Sequence, residues 1–76
     1  MNNARRKALE SFISKLEDLK QAIEAIREEE QESFDNRSEG SQQSESGQKS
    51  EESIGNMEEA EDYIQYAIDN LQTAIE

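Results

Sequence analysis

Residues 9–26 read LESFISKLEDLKQAIEAI, and the spacing of their apolar members decides the fold class. With Leu9, Leu16 and Ile23 at heptad position a, Phe12, Leu19 and Ile26 fall at d, so every core position over three heptads is apolar. A sustained seven-residue apolar repeat marks a helix with one packing seam against another helix. Ile13, at e, widens the stripe, while b and f carry Glu10, Ser14, Glu17, Gln21, Glu24 and Glu28. The next a and d positions are Glu30 and Ser33, so the seam is expected to stop at Ile26.

A second repeat lies near the other end of the chain. Ile54, Ile68 and Ile75 take a, and Met57, Ile64 and Leu71 take d. One a position holds an acid, Glu61, which fits a core only if Lys15, Lys20 or Arg27 pairs with it or if it sits at a wet edge. Ala60, Ala67 and Ala74 share position g, a row that raises helix propensity and lets a neighbour approach. Asn56, followed three residues later by Glu59, resembles a capping box and offers one start for this helix. A start near Ser50 is the alternative, with Gly55 inside the helix at a cost of about 1 kcal/mol.

Between the repeats, NRSEGSQQSESGQKSEES (36–53) has no apolar residue. It reads as a flexible polar connector, longer than the roughly 2–8 residues that usually join packed helices. That length implies either a mobile tether or a helix that reaches further into the segment. The expected organisation is one domain: a first helix with a basic N-terminus over 1–36, a connector over 37–50 and an acidic second helix over 51–76. The expected fold is all-α, an antiparallel, coiled-coil-like two-helix hairpin. Two helices cover each other on one side only, so a dimer forming a four-helix bundle is the simplest completion of the core.

Composition sets the terms of this reading. Of 76 residues only 32% are hydrophobic and the net charge is −11, a combination that favours disorder unless periodicity opposes it. No Cys is present for a disulfide or thiolate site, and His, Trp and Pro are also missing. No apolar run approaches the roughly 18 residues of a membrane span and no signal-peptide core follows the N-terminus, so a cytoplasmic, membrane-free protein is expected. The Asn36–Arg37–Ser38 triplet matches a glycosylation sequon, which is accidental in such a compartment. Without His or Cys the commonest acid–base and thiol groups are missing, and no Ser lies in a nucleophile motif. The stretch from Asp35 to Ser46 imitates a calcium loop with Gly40 sixth, but Arg37 stands third and Ser46 replaces the bidentate Glu at the twelfth position. Neither enzyme activity, nor a metal, nor a cofactor is expected.

Charge is segregated along the chain. Residues 1–27 hold six basic against four acidic residues, a balance of +2, whereas residues 28–76 hold fifteen acidic against two basic, a balance of −13. A run of acids is most often a solvated face. Here the acids outnumber every basic partner, and carboxylates three or four residues apart on a helix lie about 5–6 Å from one another. That interval is comparable with the phosphate spacing of nucleic acid. The candidate partner-binding residues are therefore Glu28, Glu29, Glu30, Glu32, Glu58, Glu59, Glu61 and Asp62, with Phe34, Tyr63 and Tyr66 as apolar anchors. The expected partner is the basic surface of a nucleic-acid-binding protein, not nucleic acid itself, since Arg5, Arg6 and Lys7 are few against −11. Those three cations oppose the helix macrodipole and are expected to meet the acidic end of the second helix or of another subunit. The rival reading is a self-assembling helical structural or scaffold protein whose active feature is the seam together with the row of Ala60, Ala67 and Ala74.

MNNARRKALE (1–10), REEEQESFDN (27–36) and AIDNLQTAIE (67–76) resemble small acidic helical-hairpin proteins of Gram-positive bacteria and their phages and mobile elements. The resemblance covers about two-thirds of the chain, and RSEGSQQSESGQ departs from it where that group has a proline and a better helix former. It implies a bacterial or phage setting, with the bacterial cytoplasm as the location. In that setting small acidic proteins often act as inhibitors of host nucleic-acid enzymes, and the resemblance implies such a role here.

Overall fold

The computed structural model describes residues 1–76 and is all-helical, without strands. Helix α1 spans Asn3–Asp35, a single turn α2 spans Glu39–Gln42, and α3 spans Glu45–Ile75. The long helices form an extended pair measuring 58 × 15 × 13 Å. Cross-helix contacts give their direction. Arg6 meets Ile75, Lys20 meets Gln65, Arg27 meets Glu61 and Glu30 meets Ser50, so residues rising along α1 meet residues falling along α3.

Each helix turns one face to the other at alternating steps of three and four residues. On α3 that face is Ile54, Met57, Glu61, Ile64, Ile68, Leu71 and Ile75, and it continues back through Ser50 to Gly47. The heptad assignment for this helix is therefore the observed one. On α1 the covered face is Leu9, Ile13, Leu16, Lys20, Ile23, Arg27, Glu30 and Phe34. Positions a and e of the expected register make the seam, and position d does not. Phe12, Leu19 and Ile26 remain 49%, 51% and 58% exposed, which corrects their assignment to the packing seam of this pair. The stripe on α1 is wider than one helix can cover, and α3 takes the side that carries Arg27. On that side the carboxylate of Glu61 finds a guanidinium; on the other side it would meet Ile26.

The covered core is thin. Ile13, Ile54 and Ile68 are the buried apolar residues, with Ile68 only 2% exposed. A compact chain of this length has a radius of gyration of about 11 Å, against 17.2 Å here. With so little burial to offset frayed ends, the free groups at the helix termini matter, and the ends are capped. Asn2 accepts from the Arg5 N–H at 2.8 Å, satisfying one of the free donors at the start of α1. Arg6 Nε donates to the Ile75 carbonyl at 3.0 Å, so one of the three N-terminal cations meets a free acceptor at the end of α3.

The segment expected to be a flexible connector over 37–50 is a capped corner, and α3 begins at Glu45 instead of residue 51. Its polar residues close turns. Ser38 accepts from the Ser41 N–H, and Ser44 accepts from the Gly47 N–H at 3.1 Å, each followed by a glutamate in the first helical turn. Gln42 donates to the Phe34 carbonyl at 3.1 Å, and Arg37 donates to both Ser41 and Ser46, tying α1, α2 and α3 together. Gly47 is where α3 passes closest to α2. A Cβ there would lie 2.3 Å from the carbonyl oxygens of Ser41 and Gln42.

These contacts separate two glycines in the same helix. Gly47→Ala is expected to destabilise the protein by about 1–3 kcal/mol, because backbone atoms must move to admit the methyl group. Gly55 faces open space, so Gly55→Ala is expected to stabilise by about 0.5–1 kcal/mol through helix propensity. Urea denaturation followed by far-ultraviolet circular dichroism should place the two midpoints on opposite sides of the wild type.

Candidate protein-interaction surface

The acids singled out from the sequence divide into two groups. Glu28, Glu29, Glu32, Glu58, Glu59 and Asp62 are exposed, on the half of the helix pair nearer α2. Glu61 is not a surface residue: it is buried in the seam, as its a position requires. Arg27 Nε donates to its Oε2 at 2.5 Å and Nη2 to its Oε1 at 3.3 Å, a two-point contact that uses both carboxylate oxygens. Arg27 is one of the three cations expected to make this contact possible. Its guanidinium is held above its ordinary pKa first by the hydrogen bond to Glu61. Desolvation opposes that shift, and the charges of Glu61, Glu58 and Glu24 add to it. Glu30 is also drawn inward, accepting from the buried Ser50 hydroxyl. Glu61 and Glu30 therefore serve the helix interface.

The remaining carboxylates have few cations nearby. Of nineteen acids, Glu61 and Glu45 are the ones in ion pairs, and Glu45–Lys49 is an exposed contact at 3.8 Å within one turn of α3. Such a pair contributes little, about 0–1 kcal/mol. Next to the Arg27–Glu61 contact, Glu24, Glu58 and Asp62 border an open polar groove with Lys20. Lys20 donates to the Gln65 side chain at 2.7 Å. No buried side-chain nitrogen or oxygen lacks a hydrogen-bond partner.

The expected apolar anchors occupy different environments. Phe34 is half-buried against the corner, in a shallow depression with Gln31, Ile54 and Gly55. Tyr63 and Tyr66 are exposed on the outer side of α3. The Tyr63 hydroxyl donates to Glu59 at 2.8 Å, one turn earlier. This hydrogen bond, then the charge of Glu59 and then partial desolvation raise the Tyr63 pKa above its ordinary value.

A further surface lay outside the acidic set. Phe12, Leu19 and Ile26 form an exposed apolar row along α1, and the Lys15 ammonium lies 5.8 Å from the Phe12 ring centroid. In the sequence Ile13, Lys20, Arg27 and Phe34 repeat every seven residues beside this row and compete with it for the seam, and the spacing alone does not say which row α3 covers. No group of three or more His, Cys, Asp or Glu side chains is arranged to hold a metal ion. No helix is long and apolar enough to cross a membrane. Comparison with protein families, curated proteins and solved structures finds no match.

Two outcomes test this geometry. Arg27→Leu and Glu61→Leu should each lower the urea midpoint, because each strands a charge in the seam, whereas the double variant should regain the wild-type midpoint or exceed it. Freed from its polar partner, α1 should then rotate toward Phe12, Leu19 and Ile26, read as slower thiol labelling of a Cys at position 19. Separately, Glu59→Gln should lower the alkaline midpoint of one phenol in an ultraviolet titration. With its folded pKa raised, Tyr63 contributes stability that is present below about pH 10 and is lost as pH rises through the folded value.

Proposed function

We propose that this chain is a non-enzymatic, acidic protein-binding hairpin that covers a basic, nucleic-acid-binding surface of another protein. The observation that carries this reading is the set of exposed acids on one half of the rod, Glu28, Glu29, Glu32, Glu58, Glu59 and Asp62, with almost no cations to match them. A rigid helix pair holds such carboxylates at fixed intervals, so a partner's lysines and arginines meet them without first ordering a loop. Counterions released from both surfaces add a salt-dependent gain, as they do when the same partner binds phosphates. The resemblance to acidic hairpin proteins of bacteria and phages makes a host nuclease or other nucleic-acid enzyme the type of partner, met in the bacterial cytoplasm. Tyr63 and Tyr66 supply exposed rings beside the acids, and Phe34 a half-buried one at the corner.

A second reading is self-assembly into a helical bundle. The exposed row of Phe12, Leu19 and Ile26 favours it, since apolar side chains at heptad spacing are what a further helix would cover. The two readings are compatible in one molecule, because the acidic half and the apolar row use largely different residues.

Affinity capture from a bacterial lysate at low and high salt tests the first reading. Basic nucleic-acid-binding proteins should be retained at low ionic strength and lost as salt rises. The combined reversal Glu28→Lys, Glu32→Lys and Glu58→Lys should abolish capture while leaving the helical circular dichroism unchanged. Capture that ignores salt, or that survives the reversal, would refute phosphate mimicry.

A further inference from the structure

We infer that the outer face of α1 docks antiparallel against the same face of a second copy of this chain, around a twofold axis level with residue 17. This inference deepens the self-assembly reading and rests on it, and it names the face, the direction and the register.

The face has a seam of its own. Ala8, Phe12, Lys15, Leu19, Ala22 and Ile26 alternate at steps of four and three residues, and all of them are exposed. It flanks the face that α3 covers, about 100° round α1 from Ile13 and Arg27, and its residues stay exposed, so a second helix can dock beside the first. Large and small residues alternate along it. In an antiparallel arrangement each layer sets a residue from one half of the repeat against one from the other half. With the axis level with residue 17, Phe12 lies over Ala22 of the second copy, and Ile26 lies over Ala8. In these two layers a large side chain faces a small one, which is how helix faces interdigitate without voids. The central layer sets Leu19 against the aliphatic stem of Lys15, whose ammonium then extends toward the rim.

The charges agree with the same register. Arg5 continues the row at one end and Glu29 at the other, and the axis brings Arg5 of each copy against Glu29 of the second. Near the centre, Lys15 of each copy comes beside Asp18 of the other. A parallel arrangement would instead set Arg5 against Arg5 and Glu29 against Glu29, unfavourable at both ends. The antiparallel dimer therefore uses the +2 balance of residues 1–27 and the acids that begin at Glu28, and it leaves the two acidic ends pointing apart.

The surface area also calls for a partner. A folded monomer of this mass exposes about 4,700 Å² on average, whereas this chain exposes 5493 Å². The excess is expected of a helix pair that lacks its second layer.

The test uses the absence of native cysteine. Light scattering should give twice the chain mass at high concentration, and Leu19→Asp should give the chain mass with its helical circular dichroism kept. Leu19 is half exposed in the single chain, so its replacement spares the α1–α3 seam. Phe12→Cys and Ala22→Cys, mixed under mild oxidation, should form a disulfide-linked heterodimer. Neither alone should cross-link, because like positions would lie about 15 Å apart along the helix and a disulfide needs Cα atoms within roughly 7 Å. A dimer that survives Leu19→Asp, or Phe12→Cys linking to itself, would overturn this face or this direction while leaving self-assembly standing. The chain mass at every concentration would overturn both. Failure of the acidic surface to capture a basic protein is a separate outcome and bears on neither.

Discussion

One carboxylate in an otherwise apolar row constrains how the two long helices meet. Glu61 occupies a core position of α3 and is buried, so it must be paired or pay a large desolvation cost. Arg27 answers it from α1 with two hydrogen bonds. Once that contact is made, the rotation of α1 about its own axis is set. Lys20 comes to Gln65, Glu30 to Ser50 and Phe34 to the depression beside Ile54. The wide apolar stripe of α1 is then divided, Leu9, Leu16 and Ile23 turning inward with Ile13 while Phe12, Leu19 and Ile26 stay outside. A hydrophobic seam alone would favour the wholly apolar row of Phe12, Leu19 and Ile26 over one that contains Lys20 and Arg27. The ion pair overrides that preference.

That division explains which parts of the fold were legible in the sequence. The repeat on α3 has one apolar stripe of ordinary width, and its register, including the acid at a and Arg27 as a candidate partner, follows from spacing alone. On α1 the a positions were readable, but the choice between Phe12, Leu19, Ile26 and the neighbouring Ile13, Lys20, Arg27, Phe34 row depends on α3, and no local pattern contains it. Lys20 and Arg27 were also poor advertisements for a seam, since their charges hide the long aliphatic stems that cover it. The corner was obscured for another reason. Serine and glutamine runs suggest a tether by composition, yet the doublets Ser38–Glu39 and Ser44–Glu45 are helix-start signals, and Gly47 is a close-approach position. Individual placement, not overall polarity, carried the information there.

The acidic surface was legible in outline and needed subtraction in detail. Charge counting found where the acids are concentrated, and the fold removes Glu61 and half-covers Glu30, because both lie on the covered faces of their helices. Those that remain are exposed, with Glu58 and Asp62 at the rim of the groove beside Arg27, and they raise solubility and repel one another. A monomer gains little from such crowding. The acidic half therefore contributes little to holding α1 and α3 together.

The thinness of the rod also governs how the protein responds to temperature. Heat-capacity change on unfolding scales chiefly with apolar surface newly exposed to water, about 12–15 cal/mol/K per residue in ordinary domains. With Ile13, Ile54 and Ile68 as its buried apolar residues, the single chain has unusually little of that surface to expose. Its free-energy curve is accordingly broad and shallow. Cold should weaken it little, and its melting should be a gentle slope instead of a sharp step. Covering the outer face of α1 would steepen that curve more than any substitution within the seam.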